Sequence, residues 1–298
     1  MLVWSWSRHR TLATCRRRYW LTYYGARDGW RASVHERSRS LYRMKQLLAR
    51  SQWVGQRVHE TLAHLLQRRR AGAEVDRDAV RDDVARRARR ELEDARRGLP
   101  DLDPRRYPGF MDLFYGEDPG DAAWAGWVDE LVEQTDAAID HAVARRLFQV
   151  PGRIREVEQL ERLQVGDVPV WVALDVLVED GEGGLVVIDW KTGAAPPAGD
   201  AERQLALYAL YAHRRHRVPL DRISAIEART RLGDFRTLRV GAATLREVEE
   251  LVRTSAAEMR AMLPDPEVDQ APEEAFAALP EGDATCAGCV FRRACDRE

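Results

Sequence analysis

Lysine is almost missing from this chain: of 47 lysines and arginines, only Lys45 and Lys191 are lysine. Chemistry that needs a compact, tunable ammonium has therefore only two places to find it, because a guanidinium is planar, delocalised and permanently charged. A phosphate loop of the form G-x-x-x-x-G-K-[ST] is excluded, since neither lysine follows the required glycines, so the chain is not itself an ATP-driven motor. Long apolar runs are missing too. The longest, Leu205 to Ala212, falls far short of the roughly 18 residues of a membrane span. The first residues show no charged head followed by an apolar stretch, so a soluble cytoplasmic protein without a membrane partner is expected. Internal repeats are absent, and cysteine occurs only at positions 15, 286, 289 and 295.

What is present suffices for a folded protein: 298 residues, 45 % of them hydrophobic, can fill a core of one large domain or two modest ones. The net charge of −2 hides an uneven distribution. Residues 1–50 carry twelve basic side chains against Asp28 and Glu36, leaving the remainder strongly acidic. A basic segment beside an acidic one suits a protein that grips a phosphate backbone and keeps carboxylates for metal; a solvated basic helix face is the plainer alternative.

Apolar residues at Leu41, Met44, Leu47, Leu48, Val54, Val58, Leu62 and Leu65 predict one amphipathic helix from Ser40 to about Arg70, with His59 inside it. Residues 71–100 read as an exposed helix laced with ion pairs, and Leu99 to Pro119 as an irregular connection. A further helix carries Trp124, Trp127, Val128, Leu131 and Val132 on one side. From Arg153 the pattern turns to strands: Ile154 to Leu160, Val168 to Val178 and Leu185 to Asp189 predict three antiparallel strands. A helix from Ala201 to His213, a hairpin over Ile223–Val240 turning at Gly233-Asp234, and a helix from Thr244 to Met262 follow. The order predicts an α/β protein with a large helical insertion. Its divisions are 1–65, the insertion 66–150, a core at 151–265 and a cysteine-bearing segment at 266–298.

Asp175 follows an apolar run, Asp189 closes the next, and Lys191 stands two positions later, on the same face of its strand as Asp189. Pairing those strands gathers two carboxylates and an ammonium. Hard oxygen ligands hold Mg²⁺ or Mn²⁺, and an ammonium can orient an attacking water and offset phosphate charge, so the set suits phosphodiester hydrolysis. An isolated Asp-x-Lys is usually a salt bridge at a strand end. Here Gln204 and Tyr208 lie one helical turn apart on the helix that follows, able to face the same cleft.

Together these residues resemble the PD-(D/E)XK nuclease superfamily, in particular its RecB-like branch, which includes exonuclease V and small CRISPR-associated nucleases with four cysteines. The resemblance is carried by Gly55 and His59 on a helix, Asp175 at a strand end, the run Asp189, Lys191, Thr192, Gly193, and the Gln204-x-x-x-Tyr208 helix. It covers about residues 1–65 and 150–298 and leaves 70–150 unaccounted for. It implies a restriction-endonuclease-like mixed sheet flanked by helices. His59, Asp175 and Asp189, with the Trp190 backbone carbonyl, would bind metal, Lys191 would position the water, and Gln204 and Tyr208 would contact the DNA backbone or brace the site.

Cys286, Cys289 and Cys295 follow C-x2-C-x5-C, and with Cys15 they could surround one Zn²⁺ or anchor a [4Fe–4S] cluster. The resemblance implies the iron–sulfur cluster, joining the N- and C-terminal segments. Beside Cys15, the residues Arg16, Arg17, Arg18, Tyr19 and Trp20 mix cations and rings as a single-strand platform does, although helical spacing explains Tyr19 equally as core. The expected function is a metal-dependent DNA exonuclease acting on single strands or ends, in repair or in CRISPR or antiviral defence, with a helicase or integrase as partner. The alternative is a catalytically weak iron–sulfur DNA-binding or assembly subunit.

Overall fold

The computed structural model describes residues 2–140, 147, 149–193, 199–232, 234–265, 268 and 270–297. The chain forms two compact units. One comprises Met1–Ala49, Arg90–Gly120 and Arg253–Glu298, the other Arg50–Arg89 and Asp121–Val252. These units cut across the expected division: residues 90–120 belong with the two terminal segments, whereas 50–89 and 121–140 belong with the strands.

In the first unit, helix α1 (Trp6–Thr14) starts at Ser5, whose hydroxyl accepts from the Arg8 amide. It stops at Cys15, which is extended and caps the short helix α2 (Arg16–Trp20) through its sulfur. A π-helical turn, Leu21–Gly25, and helix α3 (Glu36–Lys45) follow. Leu47 and Leu48 then pair in parallel with Gly109 and Phe110. The single helix expected over Ser40–Arg70 is thus two helices with a two-residue strand between them. No proline or glycine marks that break, which is imposed by the partner segment far along the chain. Leu21, Leu41, Tyr42, Met44, Leu47 and Met111 close a core on Val290 and Phe291.

The second unit holds helix α4 (Arg50–Arg70), the start of α5 (Arg77–Arg96), α6 (Asp121–Asp140), α7 (Asp200–His216) and most of α8 (Ala242–Ala261). Its strands are β1 (Ile154–Val165), β2 (Val168–Glu179), β3 (Leu185–Lys191), β4 (Ile223–Arg229) and β5 (Asp234–Arg239). Among these five, neighbours in sequence are neighbours in the sheet. All pairs are antiparallel except β3 and β4, which are parallel because α7 carries the chain across between them. The three antiparallel strands and the later hairpin are where the sequence puts them; Gly233, the expected turn residue, lies outside the described residues. Helix α5 differs from expectation. It carries ion pairs such as Arg86 with Asp83, but Val84, Ala88, Leu92 and Ala95 form a narrow buried stripe along it. Two of those four are alanines, which hide such a stripe among charges.

Helices α4 and α6 pack through Trp53 and Trp127, whose rings lie 6.4 Å apart. Two residues on from Trp53 the backbone of α4 comes close to the end of β3: a Cβ added to Gly55 would stand 2.6 Å from the Thr192 hydroxyl oxygen. Glycine at this position is what lets the helix approach, and His59, one turn further, is carried to the sheet by it.

Candidate active site

Asp175 lies within β2 and Asp189 within β3, with Lys191 ending that strand. All three belong to the second unit, as do His59, Gln204 and Tyr208. The Trp190 amide donates to Asp175 Oδ2 at 2.6 Å, tying β2 to β3 at the site. Lys191 Nζ stands 2.6 Å from Asp189 Oδ2 and donates to Gln204 Oε1 at 3.0 Å; Gln204 Nε2 in turn donates to the Tyr208 hydroxyl at 2.8 Å. The ammonium is thereby held from two elements, the strand it ends and the helix that follows.

His59 reaches the carboxylates from α4. Its Nδ1 lies 3.4 Å from Asp175 Oδ1 and 3.6 Å from Glu158 Oε1. His59, Glu158 and Asp175 each offer a ligand atom within 4.8 Å of the others. That span is close to the about 4.2 Å that separates opposite ligands around a divalent ion with 2.0–2.1 Å bonds. Glu158 was not expected from the sequence, which presents it as one charged residue among several in β1. Asp189 stands next to this group in the sheet. It is almost wholly buried, with Lys191 Nζ 2.6 Å from its Oδ2. An imidazole and two carboxylates converging within 4.8 Å of one another are a donor set that fits a divalent metal.

Charge in this cluster sets the protonation states. Burial pushes the Asp189 carboxyl up, Lys191 pulls it back and Asp175 raises it again, leaving it at about 6. Burial alone would lower His59, but the Asp175 and Glu158 carboxylates outweigh it and carry the imidazole up to about 10. Burial, then the Asp189 and Asp175 charges, raise the Tyr208 hydroxyl well above its ordinary value, so it stays neutral.

Both Asp189 and His59 hold their proton more tightly in the folded, metal-free protein than in the unfolded chain. Each therefore contributes stability at low pH that is lost as pH rises: Asp189 between its usual 3.8 and about 6, His59 between its usual 6.5 and about 10. In chelator, the melting temperature of the wild type is expected to fall by several degrees between pH 7 and 9.5, and His59→Gln to flatten that fall. Added Mn²⁺ should reverse the trend, because a ligating imidazole must be neutral. A stabilisation by Mn²⁺ that does not change over this pH range would refute the assignment of His59 to the metal.

A model of the PD-(D/E)XK nuclease superfamily matches residues 3–296. The chain belongs to the PD-(D/E)XK nuclease superfamily. No curated protein matches it. Among solved structures, one titled "Crystal structure of SSO0001" is 13 % identical, with 78 % of this chain and 94 % of that one covered and a TM-score of 0.30. Membership brings with it nuclease activity and the general use of a divalent metal, for which the cluster around His59, Glu158 and Asp175 is the candidate place. Among the described residues, no helix is long and apolar enough to cross a membrane.

The four cysteines of this PD-(D/E)XK protein all lie in the first unit and are free thiols. Cys15 Sγ accepts from the Arg18 amide and Cys289 Sγ from the Phe291 amide, each at 3.4 Å. They are near enough to influence one another. Burial raises the Cys289 thiol, which Arg18 lowers and Cys15 and Cys286 raise again; burial and then Cys289 raise Cys295 to about 11, with Cys15 and Cys286 adding to it. Among the described residues, no three of the sulfurs fall within 4.8 Å of one another.

Of the expected single-strand platform, Tyr19 belongs to the core. Tyr19 is fully buried against Phe276, and its hydroxyl accepts from Arg8, so it offers no ring face to a base. Arg17 is committed to Glu273 and the Phe276 carbonyl, Arg16 pairs with Glu258, and Trp20 donates to the Ala271 carbonyl. The alternation of basic and aromatic residues here builds a core between terminal segments, and only Arg16 remains largely exposed.

Proposed function

We propose that this protein is a divalent-metal-dependent deoxyribonuclease of the RecB-like branch, an exonuclease on single strands or DNA ends. The observation that supports it most directly is Lys191, held between the buried Asp189 carboxylate and the Gln204 amide at the end of the strand that bears Asp189 and pairs with the strand of Asp175. In this reading His59, Asp175 and Asp189, with the Trp190 carbonyl, hold Mg²⁺ or Mn²⁺. The ion, when bound, polarises the scissile phosphate and lowers the pKa of a bound water. Lys191 orients that water and balances developing charge on the phosphate. Gln204 and Tyr208 serve as braces: their hydrogen-bond chain ends on the ammonium and fixes its direction.

In the same reading Cys15, Cys286, Cys289 and Cys295 carry a [4Fe–4S] cluster. The C-x2-C-x5-C spacing of the last three, with all four sulfurs in one unit, supports that choice together with the branch. A biological setting in repair or in CRISPR or antiviral defence, with a helicase or integrase as partner, follows from the branch.

The test is degradation of end-labelled single-stranded DNA by the purified protein with Mn²⁺. Wild type is expected to shorten the strand progressively from an end, and Asp175→Asn to lose about a hundredfold or more of the rate. Wild type that binds Mn²⁺ and carries its cluster, yet cleaves no DNA of any form, would overturn the proposal in favour of an assembly subunit.

A further inference from the structure

Strand β1 contains an irregularity next to the active site. Ile154 pairs with Val178, but Glu156 pairs with Leu177, so β1 gains a residue over its partner between these positions. The alternation of faces is lost with it: Ile154, Glu156 and Val157 are all buried, and Glu158 is exposed. Glu158 also has φ of +47°, a left-handed conformation that L side chains rarely adopt. Val157 and Gln159, on either side of it, pair normally with Val176 and Leu174, so the departure is local and centred opposite Asp175.

The irregularity is held from the other side. Glu156 is buried at 6 % exposure, yet it is fully engaged: the Tyr211 hydroxyl stands 3.0 and 3.2 Å from its two carboxylate oxygens, and His216 Nε2 is 2.7 Å from Oε1. Tyr211 and His216 come from α7, the helix whose Gln204 and Tyr208 brace Lys191. One helix thus grips both the lysine and the start of the irregular strand.

A strained backbone that persists must be over-determined by its surroundings, and at a functional cluster such strain aims a side chain. Here it aims the Glu158 carboxylate at His59, 3.6 Å from Nδ1, and within 4.8 Å of the His59 and Asp175 ligand atoms. We infer that Glu158 is a further ligand of the divalent metal, presented by its left-handed backbone, and that Glu156, clamped by Tyr211 and His216, is the positioning residue that keeps it there. This rests on the metal reading of the site proposed above. It adds a third carboxylate, from a strand that the sequence pattern leaves without a role, and makes the site more anionic than the acidic pair alone. A partly exposed ligand at the rim also gives the ion a path of exchange with solvent.

The experiment is Mn²⁺ binding to the metal-stripped, full-length protein, read by the electron paramagnetic resonance signal of free Mn²⁺, with no dependence on cleavage. Glu158→Gly is the informative variant, because glycine accepts a positive φ without strain. It is expected to weaken Mn²⁺ binding about tenfold or more while its melting temperature in chelator stays the same or rises. A residue that served only the fold would move the melting temperature and leave the affinity alone. Glu156→Gln is expected to weaken binding in the wild-type background and to add little in the Glu158→Gly background, since it acts through Glu158. Wild-type affinity in Glu158→Gly would overturn the ligand assignment and leave the wider metal reading standing. An equal loss from Glu156→Gln in both backgrounds would overturn the positioning role. A wild type that binds no Mn²⁺, like His59→Ala, would take both readings down together.

Discussion

Lys191→Arg is expected to abolish DNA cleavage as completely as Lys191→Ala, by about a thousandfold or more, with Mn²⁺ affinity within a few-fold of wild type. The chain uses arginine for nearly every other cation, so an arginine at 191 would match its general habit and keep the charge. The geometry forbids the exchange. The ammonium sits 2.6 Å from one Asp189 oxygen and 3.0 Å from the Gln204 carbonyl oxygen, a compact point charge with a third proton left to direct at a water. A planar guanidinium placed there would pair broadside with Asp189 and project past Gln204, breaking the link to Tyr208. Losing one preorganised donor at a developing charge costs about 10²–10³ in rate, and misplacing the water costs more. Single-turnover cleavage of labelled DNA at saturating Mn²⁺ decides it. Retention of more than a tenth of the wild-type rate in Lys191→Arg would show that only charge matters at this position.

Under the proposed cluster assignment, Cys289→Ser is expected to lose iron and the broad absorbance near 400 nm of anaerobically purified protein, and to lower the melting temperature by about 5 °C or more. Cys289 lies against the core formed by Leu21, Tyr42, Met111 and Phe291, and the Tyr115 hydroxyl donates to the neighbouring Val290 carbonyl at 2.9 Å. A ligand lost there loosens a core wall together with the cluster. Complete unfolding is not expected. The Arg17 amide donates to the Ala277 carbonyl, and its side chain reaches Phe276 and Glu273, so the terminal segments are joined by more than sulfur. Colourless wild-type protein containing stoichiometric zinc would sink the cluster assignment, whatever the variant does.

The parts of the active site that could be read from the sequence are those whose side chains sit at fixed spacing within one regular element. Asp189 and Lys191 share a face of one strand, Gln204 and Tyr208 one helical turn, and Gly55 precedes His59 by another. The geometry agrees with the periods because these elements are regular. Glu158 and Glu156 could not be read in this way, since an added residue in a strand breaks the two-residue period on which strand reading depends. Their neighbours Val157 and Leu160 look like ordinary alternation in the sequence. The break after Lys45 was hidden for another reason: Leu47 and Leu48 fit a helical stripe, and their departure into a strand is decided by Gly109 and Phe110. At Tyr19 two readings were open, core or platform, and burial decides for core.

The division into two units also has a temporal side. The second unit has every member of its metal and lysine cluster once the chain has been synthesised as far as Tyr208. The first unit begins earlier in the sequence but needs Val290 and Phe291 to close its core, and Cys295 to complete its sulfur set. During synthesis at about 5–20 residues per second, the gap between these two points lasts about 4 to 17 seconds. For that interval Leu21, Leu41, Tyr42 and Met44 are without the segment that later covers them. A ribosome stalled between these points would carry a chain whose hydrolytic centre is complete in sequence while its thiol-bearing half is still open to solvent and oxidant.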